Sequence, residues 1–197
     1  STPPEMVQGF IAGGDKALRS AVEGCEDSRE QGVETVEKAA VTEKDVVVGI
    51  TASGSASYVL AALEEARRRG ARTVGVVTNA GTPLEALCDV CIAPNVGPEV
   101  ITGSTRLKSG TAQKLVLNML TTCTMIKLGK VYGNLMVDLS PSNRKLYDRA
   151  QRIIREVTGV SEVQAARALQ EAGNNTKLAI MMLESGLPRE QAEQKLA

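Results

Sequence analysis

The most informative absence in this 197-residue chain is histidine, because the sequence contains none. Without an imidazole, nucleophilic catalysis of the Ser-His-Asp and Cys-His types is excluded, as are the common metal sites that combine histidine with cysteine. Acid–base chemistry would have to use carboxylates, lysine, tyrosine or cysteine. We therefore expect no metal site and no cofactor.

Aromatic residues and net charge are also scarce. The chain has no Trp, one Phe and three Tyr, so its core must be aliphatic. Its 23 basic residues balance 23 acidic ones, which gives no attraction for nucleic acid or an anionic membrane. No secretory leader is visible, and no apolar run approaches the roughly 20 residues that span a bilayer. We expect a cytoplasmic protein that binds neither nucleic acid nor membranes.

Cysteine is limited to four residues, at positions 25, 88, 91 and 123. The segment "CDVC" resembles half of a zinc or redox site, but no second pair follows it. We therefore expect reduced, buried thiols, as in cytosolic proteins.

The first part of the chain alternates apolar strands with helices. "DVVVGI" (Asp45–Ile50) is a continuous apolar run, typical of a central parallel strand that is covered on both faces. A helix follows and ends at Gly70, two more strands lie in "RTVGVVTN" and "DVCIAP", and a long apolar helix ends near Gly129. Helical periodicity also marks residues 6–41. This alternation predicts an α/β domain over residues 1–140 with a doubly wound parallel sheet.

The character of the sequence changes at about Ser140. Residues 141–197 predict a connecting helix followed by three short helices, which are separated by Gly, Asn and Pro. Such a tail could be mistaken for a helix-turn-helix DNA-binding domain. From Thr158 onward, however, it has four basic and five acidic residues, so binding to DNA phosphates is not expected.

The first candidate site is "GITASGSAS" (Gly49–Ser57), which follows the first strand. Ligands of open α/β sheets bind at the carboxyl ends of strands, and free N–H groups at the start of a helix favour an anion. Gly54 allows close backbone approach, and hydroxyl groups come from Thr51, Ser53, Ser55 and Ser57. The pattern is neither a dinucleotide motif nor a Walker loop. It favours a phosphate or sugar-phosphate site, the alternative being a solvated turn with a serine cap.

Two further stretches contain candidate ligands. In "GPEVITGSTRLKSGTAQKLV", Glu99 follows a Gly-Pro turn, Ser104 is a good helix cap, and Lys108 could bind phosphate or carboxylate or simply be exposed. In "EGCED", Glu26 belongs to an acidic run, and such runs on helices usually face water.

Three segments carry a family resemblance: "GPEVITGSTRLKSGTAQKLVLNML", "GKVYGNLMVDL" and "VTEKDVVVGITASG". They closely resemble the N-acetylmuramic acid 6-phosphate etherases of bacterial cell-wall recycling. The resemblance implies a sugar-isomerase (SIS) fold that binds phosphosugars, a small three-helix tail similar to ubiquitin-associated (UBA) domains, and a homodimer.

The resemblance also implies a reaction, the removal of D-lactate from carbon 3 of N-acetylmuramic acid 6-phosphate by elimination and hydration. It assigns Glu26 as a catalytic carboxylate, the base, and maps the substrate phosphate to Thr51, Ser53 and Ser55 around Gly54. Glu99 falls where related sugar isomerases keep an active-site glutamate. The substrate contacts predicted in that stretch are Glu99, Ser104 and Lys108.

The sequence departs from the family at its start. The resemblance places an earlier strand, a first phosphate loop and the catalytic acid before Ser1, so we expect a sheet that is incomplete at its N-terminal side and a chain that is inactive by itself. Two other functions remain open at this point. One is a phosphosugar-sensing regulator, and the other is an aldose–ketose isomerase.

Overall fold

A computed structural model of the chain describes residues 2–196, which form two compact units. One unit covers Val7–Met119 and contains a parallel sheet, and the other consists of residues 2–6 and 120–196. The domain boundary expected after residue 140 rested on composition alone and stays a prediction.

The unit of Val7–Met119 is an α/β structure, as the alternating pattern predicts. Its strands are all parallel, in the order β1-β2-β3. Its strands are β1 (Val46–Ile50), β2 (Arg72–Val76) and β3 (Val90–Ile92), and its helices are α1 (Gly14–Ala17), α2 (Arg29–Lys38), α3 (Ser57–Arg68), α4 (Pro83–Leu87) and the start of α5 (Lys108–Lys127). A 3₁₀ turn occupies Cys25–Asp27, and another 3₁₀ turn, at Pro4–Met6, belongs to the other unit.

Two glycines bring α3 and α4 onto the same face of this sheet. Gly49 in β1 and Gly75 in β2 are register partners, so their α-hydrogens point to one side. A Cβ at Gly49 would lie 2.7 Å from Leu63 Cδ1 of α3, and one at Gly75 would lie 2.0 Å from Leu84 Cδ2 of α4. Both leucines are fully buried with Val77. The sheet core therefore depends on bare backbone at these two positions.

The described residues do not cover β1 on both faces, although its apolar run is typical of a covered central strand. Within residues 2–196, β1 pairs only with β2 and forms an edge of the sheet. Val46 is 61% exposed, while Val47 packs towards the helical face with Leu63. A continuous apolar run therefore does not predict how many neighbouring strands lie beside it among these residues.

The predicted helical periodicity of residues 6–41 is only partly realised. Helix α1 spans four residues, a 3₁₀ turn follows at Cys25–Asp27, and α2 begins at Arg29. Gly13 and Gly24 adopt positive φ angles of 82° and 74°, which interrupt the helical conformation. Further on, the predicted cap at Gly70 is confirmed, with φ of 86° and its N–H donating to Arg67 O.

The second unit is mainly helical. Its core of leucine, isoleucine, valine and alanine side chains includes Ile154, Leu169 and Leu178. The predicted connecting helix and three short helices are α6 (Arg144–Thr158), α7 (Glu162–Glu171), α8 (Thr176–Ser185) and α9 (Arg189–Leu196). A hairpin of β4 (Val131–Tyr132) and β5 (Leu135–Met136), which the sequence analysis did not predict, precedes them. No helix within residues 2–196 is both long and apolar enough to cross a membrane.

The four cysteines are free, but they are not uniformly buried. Cys25, Cys88 and Cys91 are half-buried, and Cys123 is exposed, so the prediction of a buried thiol is wrong for Cys123. Burial first, and the neighbouring Cys88 second, raise the pKa of Cys91 to about 11. The Cys91 thiol is therefore protonated at neutral pH.

Glu65 makes the stability of the unit of Val7–Met119 sensitive to acid. Its carboxylate accepts hydrogen bonds from Arg68 Nε at 2.7 Å and Arg69 Nε at 2.6 Å, and these bonds lower its pKa from 4.5 to about 2. Because the folded-state pKa is depressed, the stabilisation is present above pH 4.5 and is lost as the pH falls towards 2. The free energy of unfolding is measured with denaturant between about pH 2 and pH 4.5. In Glu65→Gln it should depend less on pH than in wild type. The comparison substitution Glu34→Gln removes an exposed carboxylate of α2 that pairs with Lys38 instead of Arg68 or Arg69.

Candidate functional site

The hydroxyl groups that follow β1 lie together. Ser53 Oγ is 3.3 Å from Thr51 Oγ1 and accepts a hydrogen bond of 3.0 Å from Ser55 Oγ. The backbone N–H of Ser55 also donates to Ser53 Oγ at 3.3 Å. Residues 51–55, named here the hydroxyl loop, therefore place three side-chain hydroxyls in one cluster at the carboxyl edge of the sheet.

Gly54 sets the position of the hydroxyl loop against the segment that follows β2. It has φ of 72°, and a Cβ there would lie 2.4 Å from both Cβ and Oγ1 of Thr82. Its carbonyl oxygen accepts the N–H of Leu84 at 3.2 Å. Thr82 begins α4 with a capping box that includes Glu85. The loop therefore fits only with glycine at position 54, because of both the space and the positive φ.

Helix α3, which follows the hydroxyl loop, begins without a side-chain cap. Its N-cap residue is Ala56, which has no hydroxyl or amide to accept the first N–H groups. Side chains cap α2, α6, α7 and α8, namely Ser28, Asn143, Ser161 and Asn175. The N-terminal N–H groups of α3 thus remain directed at the space beside the hydroxyl loop, a favourable arrangement for an anion.

Glu99, predicted to contact the substrate, caps the N-terminus of α5. Its Oε2 accepts the N–H of Lys108 at 2.9 Å, and its Oε1 accepts the N–H of Ser109 at 3.0 Å. These two backbone N–H groups lower the pKa of Glu99, so the carboxylate remains ionised. Lys108 Nζ donates to the carbonyl oxygen of Pro98 at 2.7 Å and closes the same turn. The structure therefore brings Glu99 and Lys108 together around the start of α5.

Ser104 does not serve as the helix cap that its sequence position suggests. Helix α5 begins four residues later, at Lys108, and its first N–H groups bond to Glu99. Ser104 is half-buried, and its own N–H donates to the carbonyl oxygen of Ile101 at 3.0 Å. A capping carboxylate nine residues before the helix is a tertiary arrangement that local cap rules do not detect.

Glu26 lies on the 3₁₀ turn before α2, a turn that packs against α3. The side chain is exposed, and its Oε2 accepts a hydrogen bond of 3.7 Å from Cys25 Sγ. Among the described residues, no hydrogen bond or ion pair joins Glu26 to the hydroxyl loop or to Glu99. The catalytic assignment of Glu26 stays a prediction.

Sequence reasoning missed the residues that follow β2. Thr78 Oγ1 lies 2.9 Å from Ser109 Oγ in a buried hydroxyl pair, and it also donates to the carbonyl oxygen of Ala52 at 3.2 Å. Asn79 Nδ2 donates to the same carbonyl oxygen at 2.9 Å. The available signal was the dipeptide "TN" directly after an apolar strand, at the sheet edge where ligands bind.

The chemistry of this arrangement suits an anion better than a metal. Hydroxyl donors and uncapped N–H groups dominate, and the carboxylate of Glu99 is already engaged by backbone. In the part of the chain that the structure describes, no group of three or more Cys, Asp or Glu side chains could hold a metal ion. Residues 51–55, 78–82 and 99–109 thus form one connected candidate site.

Comparison with family models agrees with the two units. Residues 2–67 match the model described as the glucokinase regulatory protein N-terminal SIS domain, and residues 133–182 match the C-terminal lid domain of glucokinase regulatory protein. The parallel sheet therefore belongs to an SIS-type domain, and the helical unit contains a region of the lid type.

Curated relatives cover nearly all of the chain. It is 58% identical over 94% of its length to an N-acetylmuramic acid 6-phosphate etherase of Symbiobacterium thermophilum. It is 52% identical over 98% of its length to the protein of that name in Aliivibrio fischeri, and 54% identical over 98% to N-acetylmuramic acid 6-phosphate etherase 1 of Vibrio cholerae. The chain spans 61%, 65% and 64% of these three relatives.

Proposed function

We propose, from the premise that this chain belongs to the N-acetylmuramic acid 6-phosphate etherase family, that it provides the phosphosugar site of such an enzyme. The reaction would release D-lactate from carbon 3 of N-acetylmuramic acid 6-phosphate and leave N-acetylglucosamine 6-phosphate. The observation that carries the proposal is the hydroxyl loop beside the uncapped N-terminus of α3. The etherase name of the relatives does not favour the regulator or the isomerase.

The proposed binding mode follows from the donors at the sheet edge. The phosphate would accept hydrogen bonds from Thr51, Ser53 and Ser55 and from the first N–H groups of α3, where the helix dipole also favours negative charge. Gly54, in the same loop, lets the backbone pack closely against Thr82 and so positions these donors around the phosphate. Glu99 would act from the start of α5, together with the substrate contacts Ser104 and Lys108.

The proposed chemistry uses carboxylates alone. In the open-chain aldehyde form of the sugar, the neighbouring carbonyl acidifies the proton on carbon 2. Glu26 would accept this proton, the electron pair would form the carbon 2–carbon 3 double bond, and the carbon–oxygen bond to lactate would break as an acid protonates the leaving oxygen. Water then adds to carbon 3 of the unsaturated aldehyde and restores the sugar. This scheme agrees with a chain that lacks histidine.

The proposal includes a homodimer. Support comes from the part of α5 in the unit of Val7–Met119, where Leu115 and Met119 lie four residues apart and are 51% and 59% exposed. Neighbouring exposed apolar side chains suit a partner surface. Light scattering should give twice the mass of the chain, and a monomer at micromolar concentration would contradict the dimer.

Three finer structural features belong to the same proposal. The sheet would be doubly wound, the helices α7 to α9 would form a UBA-like tail, and the protein would work in the cytoplasm. The short helices and their connecting turns support the second feature. An experimental structure of the helical unit, compared with ubiquitin-associated domains, would test it.

The deciding experiment is a lactate assay. We expect N-acetylmuramic acid 6-phosphate, incubated with a form of the protein that spans the full length of the relatives, to yield free D-lactate and N-acetylglucosamine 6-phosphate in equal amounts. The present chain is assayed in parallel and is expected to bind the phosphosugar with little or no turnover. An isomerised sugar that still carries lactate would contradict the proposal, as would tight binding without release in the longer form.

A further inference from the structure

The carbonyl oxygen of Ala52, within the hydroxyl loop, is the most heavily bonded acceptor of the candidate site. It accepts the N–H of Thr78 at 3.2 Å, the hydroxyl of Thr78 at 3.2 Å and the carboxamide Nδ2 of Asn79 at 2.9 Å. A carbonyl oxygen has two lone pairs, and here three donors share them. These three hydrogen bonds fix the direction of the Ala52 carbonyl. The first bond joins the segments that follow β1 and β2, just beyond the last regular ladder bond, in which Thr51 N–H donates to Val76 O at 3.0 Å.

The direction of this carbonyl determines the direction of the next N–H group. In a planar trans peptide unit, the C=O of one residue and the N–H of the next point in opposite directions. Because the C=O of Ala52 points at Thr78 and Asn79, the N–H of Ser53 points away from them. Among the described residues this N–H has no acceptor, and neither does the N–H of Gly54.

We propose that Asn79 is a positioning residue of the hydroxyl loop, whose carboxamide anchors the Ala52 carbonyl so that the Ser53 N–H faces a bound phosphate. The inference rests on the proposed function, because it takes the hydroxyl loop as the phosphate site. Asn79 itself does not touch the anion. Its side chain is exposed and near the sheet edge, so its replacement removes one anchor without opening the core.

The physical effect of losing the anchor is electrostatic. With Asn79 absent, the peptide unit between Ala52 and Ser53 is held only by Thr78 and gains freedom to rotate. Rotation would turn a carbonyl oxygen, which carries partial negative charge, towards the anion in place of an N–H donor. Both the loss of the donor and the repulsion weaken binding of any phosphate, whatever sugar it carries.

The test compares Asn79→Ala with Asn95→Ala. Asn95 is a matched control, because its side chain also bonds backbone after a strand, with Oδ1 accepting the N–H of Gly97 at 3.1 Å, but it does not contact Ala52. Calorimetry measures the Kd for inorganic phosphate and for N-acetylglucosamine 6-phosphate, which does not turn over. We expect Asn79→Ala to raise both Kd values by about five- to tenfold, and Asn95→Ala to leave them near wild type.

A spectroscopic readout separates positioning from general stability. In ¹⁵N-labelled wild-type chain, the amide signal of Ser53 should shift downfield on addition of phosphate, and Asn79→Ala should reduce this shift. Asn79→Asp, which keeps the shape but replaces the donor with a carboxylate, should weaken binding of both ligands further. Unfolding curves of all variants check that each variant is folded under the conditions of the binding measurements.

Three other results of these binding and NMR measurements would each contradict the inference. If wild type binds both ligands and Asn79→Ala binds them equally well with the same Ser53 shift, the inference is wrong while the proposed phosphate site stands. If only the sugar phosphate is affected, Asn79 contacts the sugar and is not a positioning residue. If wild type binds neither ligand, the phosphate site fails, and the inference fails with it.

Discussion

Replacing Glu26 by glutamine is expected to lower the rate of lactate release by about a thousandfold, because glutamine keeps the shape of glutamate but cannot accept the carbon 2 proton. The measurement is steady-state lactate production by the form of the protein that is active in the assay proposed above. Affinity for N-acetylglucosamine 6-phosphate should remain near wild type, because Glu26 lies outside the hydroxyl loop. The effect should therefore fall on kcat rather than on KM.

The acidic segment around Glu26 supplies its own controls. Glu23 precedes it by three residues and is exposed as well, and Asp27 follows it directly on the same 3₁₀ turn. Glu23→Gln and Asp27→Asn change the charge of the segment by the same amount without removing the proposed base. If Glu26→Gln were as active as these two variants, the base would have to be another residue.

Among the substitutions discussed, Gly32→Ala is expected to lower the free energy of unfolding most. Gly32 lies in the middle of α2, and a Cβ there would be 2.3 Å from the carbonyl oxygen of Tyr58 and 3.2 Å from the backbone nitrogen of Ala62 in α3. Because the obstacle is helix backbone rather than a flexible side chain, α2 and α3 must move apart. Such overpacking costs about 3 kcal/mol, more than the roughly 1 kcal/mol that alanine gains over glycine in a helix.

The measurement is urea unfolding followed by circular dichroism, with Gly110→Ala as the matched control. Gly110 is also a helical glycine, but the nearest atom to its added Cβ is Thr105 O at 3.9 Å. Gly110→Ala should therefore be neutral or stabilising by up to about 1 kcal/mol. Equal stability of the two variants would show that α2 and α3 are not held in contact at Gly32.

Local sequence signals predicted the elements of the fold well where backbone chemistry is local. Gly70, which the sequence analysis named as a helix end, is confirmed in that role. The caps Ser28 of α2 and Asn143 of α6 also act through bonds within a few residues, although the sequence analysis did not name them. The apolar runs that became β1 to β3 were also recognisable. The break between α1 and α2 was missed, because the apolar residues keep helical spacing although α1 ends at Ala17 and Gly24 has a positive φ of 74° before the next turn.

The candidate site was predictable in part. The hydroxyl loop follows from a Ser/Thr-rich segment at a strand end, a pattern that has a local cause. The bond between Thr78 and Ser109 joins residues 31 positions apart, so no spacing rule predicts it. The capping role of Glu99 was also not predicted, because the turn between it and α5 is irregular.

By itself, the sequence determined the aliphatic core, the exclusion of imidazole chemistry, the strand and helix segments, and the resemblance to a family of phosphosugar enzymes. Only the tertiary structure decided that Thr78 pairs with Ser109, that Glu99 caps α5, and that Asn79 anchors Ala52. The physical reason is the range of the interactions. Side-chain type and short-range backbone preference act within a few residues, whereas the direction of one carbonyl in a loop depends on donors that the fold brings from another strand.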